Sequence, residues 1–412
     1  MGKLIGIFID ALRPDFINEK DTPFLYALSN ENPCMELETI LGYSDAIDAT
    51  IFTGTYPDVY GYWMKYYYDP QNSPFKNMPF LSVFKLIDYI PSAFIRSGIN
   101  FVLRSTFYKW FSKKLGYSEL ASYNIPYKLI HNFDFTLKKS FLDNEPFEGI
   151  PTIVDVLNAN DKTFYYTHGI KSDTFEKLEN VDLGIVYLSD IDFTAHLFGL
   201  ESRRFSKTLK KVDVKVKTIF ETCKKFNPDT NIMVFSDHGM ADVHTILTFK
   251  ELFKDKRLGD RYLFALDGTK VRFWYFDDSI QNEIHELFKD KTYGHFLTDD
   301  EKKEFRIKFD HNLYGDDIFL LDQGYAIFPN FMSWAKPKAM HAYHPKYKEQ
   351  KGILILHGEA FKNTDKNMDK APVKLVDIMP TILEVLGLEI PNTVEGRSLV
   401  GCAKDDESKT NF

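Results

Sequence analysis

Acids and imidazoles in this chain of 412 residues follow short apolar segments, and their types suit metal chemistry. The apolar segment 230–234 runs into Asp237 and His238, and the segment 4–9 ends at Asp10. The carboxyl ends of strands in an open α/β sheet meet at one edge, where such proteins keep their chemistry. Carboxylates and imidazoles suit Zn²⁺ or Mn²⁺. We therefore interpret these residues as candidate metal ligands, with capping of strand ends as the alternative.

Further candidates follow the same pattern. The segment 183–188 is a strong signal for a buried strand, and Asp192 and His196 come soon after it. These two residues are four positions apart, so on one helical turn they would face the same way. With a serine and one more histidine, the set is large enough for two metal ions that clamp an in-line displacement at phosphorus. The full set is Asp10, Ser44, Asp192, His196, Asp237, His238 and His341.

Ser44 follows a strand candidate at 35–41, and a short helix is predicted from Ser44 to near Gly54. A hydroxyl at the start of a helix faces free backbone N–H groups and the positive end of the helix dipole. That position suits a nucleophile that attacks phosphorus. The alternative is a plain N-cap serine.

The elements that must position these residues alternate between apolar strands and amphipathic helices. This alternation predicts an α/β fold with a mixed, mainly parallel central sheet and helices on both faces. An inserted helical or irregular cap and a small antiparallel subdomain, marked by a hairpin turn at Asp267-Gly268, complete the prediction. The predicted units are a metal-binding core (1–60, 150–255 and 336–403), the cap (61–149), the antiparallel subdomain (256–335) and a disordered tail (404–412).

Residues 84–116 interleave aliphatic and aromatic side chains with six basic residues and a single acid, Asp88. A basic amphipathic segment with aromatic residues can lie in a membrane interface or cover a lipid. The pattern therefore indicates a peripheral membrane or lipid contact. The alternative is a helical cap that packs its apolar face on the core.

Composition narrows the class of partner and the compartment. The formal charge is −8, and no basic footprint for a nucleic-acid polymer is expected. The three cysteines are Cys34, Cys223 and Cys402, an odd and widely spaced set that predicts a reducing compartment without a disulfide framework. The apolar run near Met1 is too short for a signal peptide, and no run reaches the length of a membrane span. We expect a cytoplasmic protein, with a peripheral membrane location if 84–116 meets lipid.

The order and spacing of these segments resemble the alkaline phosphatase superfamily and, within it, the type I phosphodiesterase/nucleotide pyrophosphatase family. Ser44 precedes the sequence Thr-Gly-Thr-Tyr-Pro at 53–57, as the Thr or Ser nucleophile of that family does. Residues 192–196 read Asp-Phe-Thr-Ala-His, similar to the family's Asp-x-x-Gly-His. Residues 340–343 read Met-His-Ala-Tyr, similar to its His-Gly-Tyr. The other matching pieces are Asp10 with Arg13, Ser236 to Met240, Asp377 to Thr381 and Gly396 to Leu399.

The resemblance implies a hydrolase that cleaves a phosphodiester or pyrophosphate bond through a covalent phosphoseryl intermediate. It implies two divalent metal ions, with zinc as the first choice and manganese as the second. The substrate would be a small-molecule phosphoester, either amphiphilic or nucleotide-linked. One ion would be held by Asp192, His196 and His341, and the other by Asp10, Asp237 and His238, with Ser44 as ligand and nucleophile.

The chain also departs from the family pattern. Ala46-Ile47 stand where the family has Pro-Asn, and that Asn helps to hold a phosphate oxygen. Tyr60 replaces a His, and Ala195 replaces a Gly. The phosphate oxygen must then be held by backbone N–H groups, by a protonated Asp45 or by another part of the chain. Two alternatives remain open: a phosphomonoesterase or phosphotransferase on the same metals, and a non-catalytic, metal-stabilised binding protein. The sulfatase signature Cys/Ser-x-Pro-x-Arg is absent, and the oligomeric state is open.

Overall fold

The computed structural model describes residues 2–117, 124–135, 140–249, 251–252, 255, 257–364 and 372–401. The predicted disordered tail, 404–412, lies outside these residues. The strands in chain order are β1 (Leu4–Ile9), β2 (Cys34–Glu38), β3 (Tyr66–Tyr68), β4 (Phe133–Phe135), β5 (Phe164–His168), β6 (Leu183–Leu188), β7 (Asn231–Phe235), β8 (Ala241–Asp242), β9 (Thr245–Leu247), β10 (Tyr262–Leu266), β11 (Lys270–Tyr275), β12 (Gly294–Phe296), β13 (Asp317–Leu321), β14 (Tyr325–Ile327), β15 (Ala339–Met340), β16 (Gly352–His357) and β17 (Val373–Lys374). The α-helices are α1 (Pro23–Glu31), α2 (Ser44–Thr53), α3 (Pro57–Tyr60), α4 (Leu81–Phe84), α5 (Ala93–Leu103), α6 (Lys109–Leu115), α7 (Ile153–Ala159), α8 (Thr174–Glu179), α9 (Asp190–Phe198), α10 (Arg203–Phe226), α11 (Asp278–Phe288), α12 (Asp299–Glu304) and α13 (Ile378–Val385).

The central sheet has seven strands in the spatial order β17-β2-β16-β7-β1-β6-β5. β1 pairs in parallel with β6 on one side and β7 on the other. Of the seven strands, β16 runs antiparallel to both of its neighbours, and the other six share one direction. The predicted mixed, mainly parallel sheet is confirmed.

The side chains of β1 explain why helices cover both faces of the sheet. Leu4 and Phe8 belong to the apolar core formed with α2, α7 and α13, whereas Ile5, Ile7 and Ile9 belong to the core formed with α1, α9 and α10. Successive residues of a strand point to opposite faces, so a strand that is apolar at every position must be covered twice. The helices predicted on both faces are present.

A second sheet contains four antiparallel strands in the order β10-β11-β13-β12. The predicted hairpin joins β10 to β11, and Leu266 pairs with Val271 next to the turn. Gly268 in this turn has a φ of +85°, a conformation that glycine adopts without a steric penalty. The fold class is therefore as predicted, while the division of the chain into separate units remains a prediction.

In the predicted cap, the π-helical segment Arg104–Tyr108 joins α5 to α6, so that one helical rod extends from 93 to 115. Phe94 and Phe101 of α5 are exposed, whereas Phe111 of α6 is buried. The alternative in which this segment packs its apolar face on the core therefore holds for Leu103 and Phe111 but not for Phe94 and Phe101. Among the described residues, no helix has both the length and the apolar character needed to cross a membrane.

Candidate active site

Three neighbouring strands, β7, β1 and β6, carry candidate ligands at their carboxyl ends. Asp10 directly follows β1, and Asp237 and His238 follow β7 after one intervening residue. Asp192 and His196 lie on α9, which begins two residues after β6. The parallel pairing of these strands brings the candidates to one edge of the sheet, as predicted from sequence.

The turn after β7 is held by local contacts that need its particular residues. The Ser236 hydroxyl accepts a hydrogen bond from the backbone N–H of Leu12 and donates one to the carbonyl of His238, both at 2.9 Å. A Cβ on Gly239 would lie 2.2 Å from the Glu349 carbonyl oxygen, closer than any real contact. Ser236 thus acts in local hydrogen bonding, and Gly239 provides backbone clearance.

One cluster of candidate ligands centres on the buried His238 imidazole. Its Nε2 atom lies 3.4 Å from Asp10 Oδ1 and 3.2 Å from Asp237 Oδ2. Its Nδ1 atom lies 2.8 Å from the carbonyl oxygen of Gly239, which can only accept. In the neutral ring Nδ1 therefore carries the proton and Nε2 offers its lone pair, the arrangement that metal-binding histidines adopt. The Tyr187 hydroxyl donates to the other Asp10 oxygen.

A second cluster contains Asp192, His196 and His341, whose ligand atoms all lie within 4.8 Å of one another. His196 Nε2 is 3.1 Å from Asp192 Oδ1, and His196 Nδ1 is 2.8 Å from the carbonyl oxygen of Ala339. His341 stacks on His238 with a centroid separation of 3.8 Å and an interplanar angle of 5°. Asp192 also groups with Asp10 and His238 within 4.8 Å, so this carboxylate lies between the two clusters.

The electrostatics of these clusters fit bound cations. Within the described residues, Asp10 Oδ1, Asp237 Oδ2, His238 Nε2 and His341 Nδ1 are buried without a hydrogen-bond partner. Burial, together with the carboxylates of Asp192 and other acids, raises the pKa of Asp10 and of Asp237. Burial and the neighbouring imidazoles lower the pKa of His341 well below its usual value. Buried ligand atoms of this kind are costly unless a cation or a proton compensates them, so the residues present fit a metal site.

Asp192 and His196 differ from the other candidate ligands, because each compensates the charge of the other. Burial tends to raise the pKa of Asp192, but the adjacent His196 imidazole more than offsets this and lowers the pKa. Burial tends to lower the pKa of His196, but the adjacent Asp192 carboxylate more than offsets this effect and raises the pKa. The carboxylate and the imidazole thus stabilise each other's charged forms.

Ser44 opens α2, as predicted, and the helix ends at Gly54 with a φ of +66°. Ser44 lines a cavity of about 250 Å³ together with Asp192, His196 and His341. The predicted nucleophile and the second cluster of ligands therefore face one cavity. Exposed Phe193 and Trp334 form an apolar part of its wall.

Several residues of the site were not found from the sequence. Lys65 lines the same cavity as Ser44, and its Nζ lies 3.1 Å from Asp45 Oδ2. Asp48 is partly buried, and burial followed by the charges of Asp237 and Asp45 raises its pKa well above the usual value. Asp48 is four residues after Ser44 on α2, and this spacing could have indicated it. No comparable signal marked Lys65, which lies in the predicted cap.

The antiparallel sheet holds the residue before Ser44, the predicted nucleophile. The Tyr43 hydroxyl donates to the carbonyl of Asp267, and it lies 2.9 Å from the hydroxyl of Thr269. The buried Lys270 places its Nζ 4.2 Å from the centre of the Tyr43 ring. The β10–β11 turn thus fixes the backbone from which α2 begins.

The fold and the side chains define an α/β protein with a candidate metal centre at the carboxyl edge of its sheet. The chain belongs to the type I phosphodiesterase / nucleotide pyrophosphatase family, whose family model matches residues 4–348. This confirms the family resemblance seen in the sequence.

Relatives agree with this assignment, and a solved structure shares the fold. An uncharacterized pyrophosphatase/phosphodiesterase of Schizosaccharomyces pombe is 24% identical over 279 residues, covering 65% of this chain and 51% of the relative. Ectonucleotide pyrophosphatase/phosphodiesterase family member 5 of Homo sapiens is 23% identical over 222 residues, covering 52% and 44%. The chain thus spans about half the length of the curated relatives it matches. The structure of murine ectonucleotide pyrophosphatase/phosphodiesterase 5, as an inactive variant in complex with AMP, has a TM-score of 0.64 at 14% identity, covering 95% of this chain and 96% of that one.

Proposed function

We propose that this protein is a metal-dependent hydrolase that cleaves phosphodiester or pyrophosphate bonds, with Ser44 as the nucleophile. The observation that carries the proposal is the set of buried ligand atoms around His238 that lack hydrogen-bond partners in the described part of the chain. Ser44 opens a helix whose cavity is shared with the second cluster of ligands. Membership of the family supports the same reaction class.

Two divalent cations, with zinc favoured over manganese, match the carboxylate and imidazole donors. When bound, they would lower the pKa of a serine hydroxyl and offset charge on the phosphoryl oxygens. Asp192 is central because its carboxylate lies within reach of both clusters. One ion would be held by Asp192, His196 and His341, and the other by Asp10, Asp237 and His238, with Ser44 as a further ligand.

Ser44 would act by nucleophilic displacement at phosphorus. Its Oγ forms a bond to phosphorus while the bond from phosphorus to the leaving oxygen breaks, and the hydroxyl proton is lost to solvent or to the leaving oxygen. Water then cleaves the phosphoseryl bond and restores the serine hydroxyl. The position of Ser44 at the start of α2 directs helix N–H groups toward the phosphoryl oxygens.

Lys65 would hold a phosphoryl oxygen in place of the Asn that the chain lacks at Ala46-Ile47. Its ammonium group faces the cavity beside Ser44 and is held by an ion pair with Asp45. A fixed cation at that point favours the charge that develops on the phosphoryl group. Because Asp45 Oδ2 contacts the Lys65 ammonium, Lys65 rather than Asp45 is the group proposed for this role.

The substrate would be a small-molecule phosphoester whose second substituent lies against Phe193 and Trp334. These exposed apolar rings suit either a planar base or an aliphatic chain. The neighbour that binds AMP supports a nucleotide-linked substrate, and the apolar cap supports an amphiphilic one. Both remain within the proposal, as does the cytoplasmic location.

The proposal is tested with matched chromogenic substrates, bis-p-nitrophenyl phosphate and p-nitrophenyl phosphate, in the presence of Zn²⁺ or Mn²⁺. We expect turnover of the diester and loss of that turnover by at least about a thousandfold in Ser44→Ala. Ser29→Ala, which removes a serine hydroxyl that bonds to a carbonyl of α1, is the matched control and should retain activity. Activity on the monoester alone would refute the diesterase proposal, and an active Ser44→Ala would mean that the nucleophile is misplaced.

Removing metal provides a second test. Prolonged dialysis against a chelator should abolish turnover, and adding back Zn²⁺ or Mn²⁺ should restore it. Bound metal counted by atomic spectroscopy should fall in His238→Ala but not in Ser29→Ala. Activity that survives complete chelation would rule out the two-metal site.

A further inference from the structure

The helix α5 buries two polar residues and exposes most of its large apolar side chains. Of its residues whose burial is described, the two buried ones are Ser97 and Asn100, whereas Phe94 and Phe101 are 79% and 70% exposed. The buried pair is engaged: Ser97 and Asn100 both donate to Asn124 Oδ1, at 3.3 and 3.2 Å. A surface helix of a soluble protein normally has the reverse orientation. Hydrogen bonds thus fix this helix with its apolar side toward the exterior.

The exposed apolar surface extends beyond α5. Nineteen large apolar side chains are exposed among the described residues, and ten of them lie between 80 and 115. On α5, Phe94, Ile95, Phe101 and Val102 have the spacing of residues on a single helical face. Tyr89 before the helix and Trp110 on α6 are exposed as well, at 82% and 54%. We call the exposed side chains of residues 80–116 the cap face. Concentration of apolar surface in one segment marks a site that contacts a partner.

The charge of the cap face identifies the kind of partner. Residues 80–116 contain six basic residues and one acid, a net charge of +5 in a chain whose net charge is −8. The acid, Asp88, is turned toward the protein, where it accepts hydrogen bonds from the backbone N–H groups of Tyr127 and Lys128, both at 2.9 Å. The cap face therefore presents apolar and cationic groups together. An anionic surface is electrostatically complementary to it.

We propose that the cap face docks on an anionic lipid membrane. Aromatic and aliphatic side chains next to lysines insert into the headgroup region while the lysines pair with anionic lipids. Trp110, with the Nζ of Lys114 5.5 Å from its ring centre, has the composition of an interfacial anchor. A protein partner fits less well, because protein interfaces are depleted in lysine and Lys109, Lys113 and Lys114 lie together here.

The proposed membrane contact would lie close to the cavity beside Ser44. A second cavity of about 520 Å³ lies between the cap and the segment 328–333, and Ser333 lines both this cavity and the one beside Ser44. Asn124 ties the two parts together, because its side-chain amide donates to the Ser333 carbonyl at 2.6 Å and its backbone N–H to the Phe331 carbonyl at 2.8 Å. Asn124 thus fixes the orientation of α5 and also holds the wall of the candidate active site.

The test is co-sedimentation of the full chain with vesicles of phosphatidylcholine, with and without phosphatidylglycerol. We expect binding to the mixed anionic vesicles, little binding to pure phosphatidylcholine, and weaker binding at high salt. Replacing Lys109, Lys113 and Lys114 by Gln should lower the partition coefficient about a hundredfold, since each lysine contributes about fivefold. The matched control replaces three exposed lysines of α10, Lys207, Lys211 and Lys225, and should bind as the wild type does.

The apolar part of the cap face is tested separately. Phe94→Ala with Phe101→Ala should lower vesicle binding at least tenfold, whereas Val214→Ala with Phe226→Ala, exposed apolar residues of α10, should not. Far-UV circular dichroism should show equal helix content in all variants. Ser44→Ala should sediment as the wild type does, so that docking is judged independently of catalysis.

Three results would overturn the proposal. The first is that the wild type does not sediment with anionic vesicles at low salt. The second is that the α10 variants lose as much binding as the cap-face variants. The third is a dimer in light scattering that Phe94→Ala with Phe101→Ala dissociates, without any vesicle binding by the wild type, which would make the cap face an interface between two copies of the chain.

Discussion

Replacing Arg272 by methionine should weaken the antiparallel sheet and, through it, the start of α2. The Arg272 guanidinium and the Asp267 carboxylate are both 0% exposed. Arg272 Nε lies 2.5 Å from Asp267 Oδ2, Nη2 lies 3.2 Å from Oδ1, and Nη1 donates to the Tyr66 carbonyl at 3.1 Å. Arg272→Met keeps an unbranched side chain in this space but removes the guanidinium from the Asp267 carboxylate, which retains the hydrogen bond from the Tyr66 hydroxyl.

The expected loss is about 3–5 kcal/mol in the free energy of unfolding, the usual cost of breaking a buried ion pair from one side. The three hydrogen bonds of Arg272 are charge-assisted, each with a net contribution of about 1.5–3 kcal/mol. Part of this free energy is recovered in the methionine variant, because the unfavourable free energy of burying the guanidinium is also removed. Since the Asp267 carbonyl accepts the Tyr43 hydroxyl, we also expect kcat to fall as the backbone before Ser44 loses its support.

Guanidinium chloride unfolding followed by tryptophan fluorescence measures the change, since Trp274 packs 5.3 Å from the Arg272 guanidinium. Adding Asp267→Asn to Arg272→Met removes the charge that lost its guanidinium partner, and it should recover about 2 kcal/mol in the free energy of unfolding. An Arg272→Met protein within about 1 kcal/mol of the wild type would refute this reasoning. A double variant as unstable as the single one would refute it as well, because the cost would then not come from the charge on Asp267.

Three further predictions concern single residues of the site. Lys65→Met should lower kcat/KM about a hundredfold while bound metal is unchanged, and Lys65→Arg should keep most activity; equal losses in both would contradict a role for the charge. Gly239→Ala should cost about 1–3 kcal/mol in denaturant unfolding, because its Cβ would meet the Glu349 carbonyl, whereas Gly98→Ala, with nothing within 4 Å, should not destabilise. Burial lowers the pKa of Lys270 from 10.5 to about 7, so the unfolded chain binds more protons between these values and stability rises with pH across that window. Lys270→Met should therefore be more stable than the wild type at pH 7, by a few kcal/mol at about 1.4 kcal/mol per pKa unit, and the two unfolding midpoints should converge near pH 10.

The position of the candidate ligands at strand ends could be predicted because two local patterns fix it. An apolar run such as Leu4–Ile9 is a buried strand, and the residue after it stands at the carboxyl edge whatever the neighbours of the strand are. The four-residue spacing of Asp192 and His196 became one helical face on α9. Neither inference required knowing which strands pair with each other.

The residues that were missed depend on long-range placement. Lys65 reaches the cavity because β3, which follows it, pairs with β4, about 65 residues further along the chain. The pattern of α5 identified an apolar face but not the direction in which it points. That direction depends on Asn124, whose hydrogen bonds hold the polar side of the helix inward. Periodicity reports which residues share a face, and only tertiary contacts decide which face is covered.

The charge of the assembled site supports the proposal of two cations rather than one. Four carboxylates lie around the clusters in the described structure, those of Asp10, Asp48, Asp192 and Asp237, and their mutual repulsion contributes to the raised pKa values of Asp10 and Asp48. His196 offsets the charge of Asp192, but His341 offsets little, because it stacks at 3.8 Å on His238 and its pKa is lowered well below the usual range. A single divalent ion would leave part of the remaining negative charge without compensation, whereas two divalent ions would compensate it. Asp192, within 4.8 Å of both ligand groups, is the residue through which two such ions would share one site.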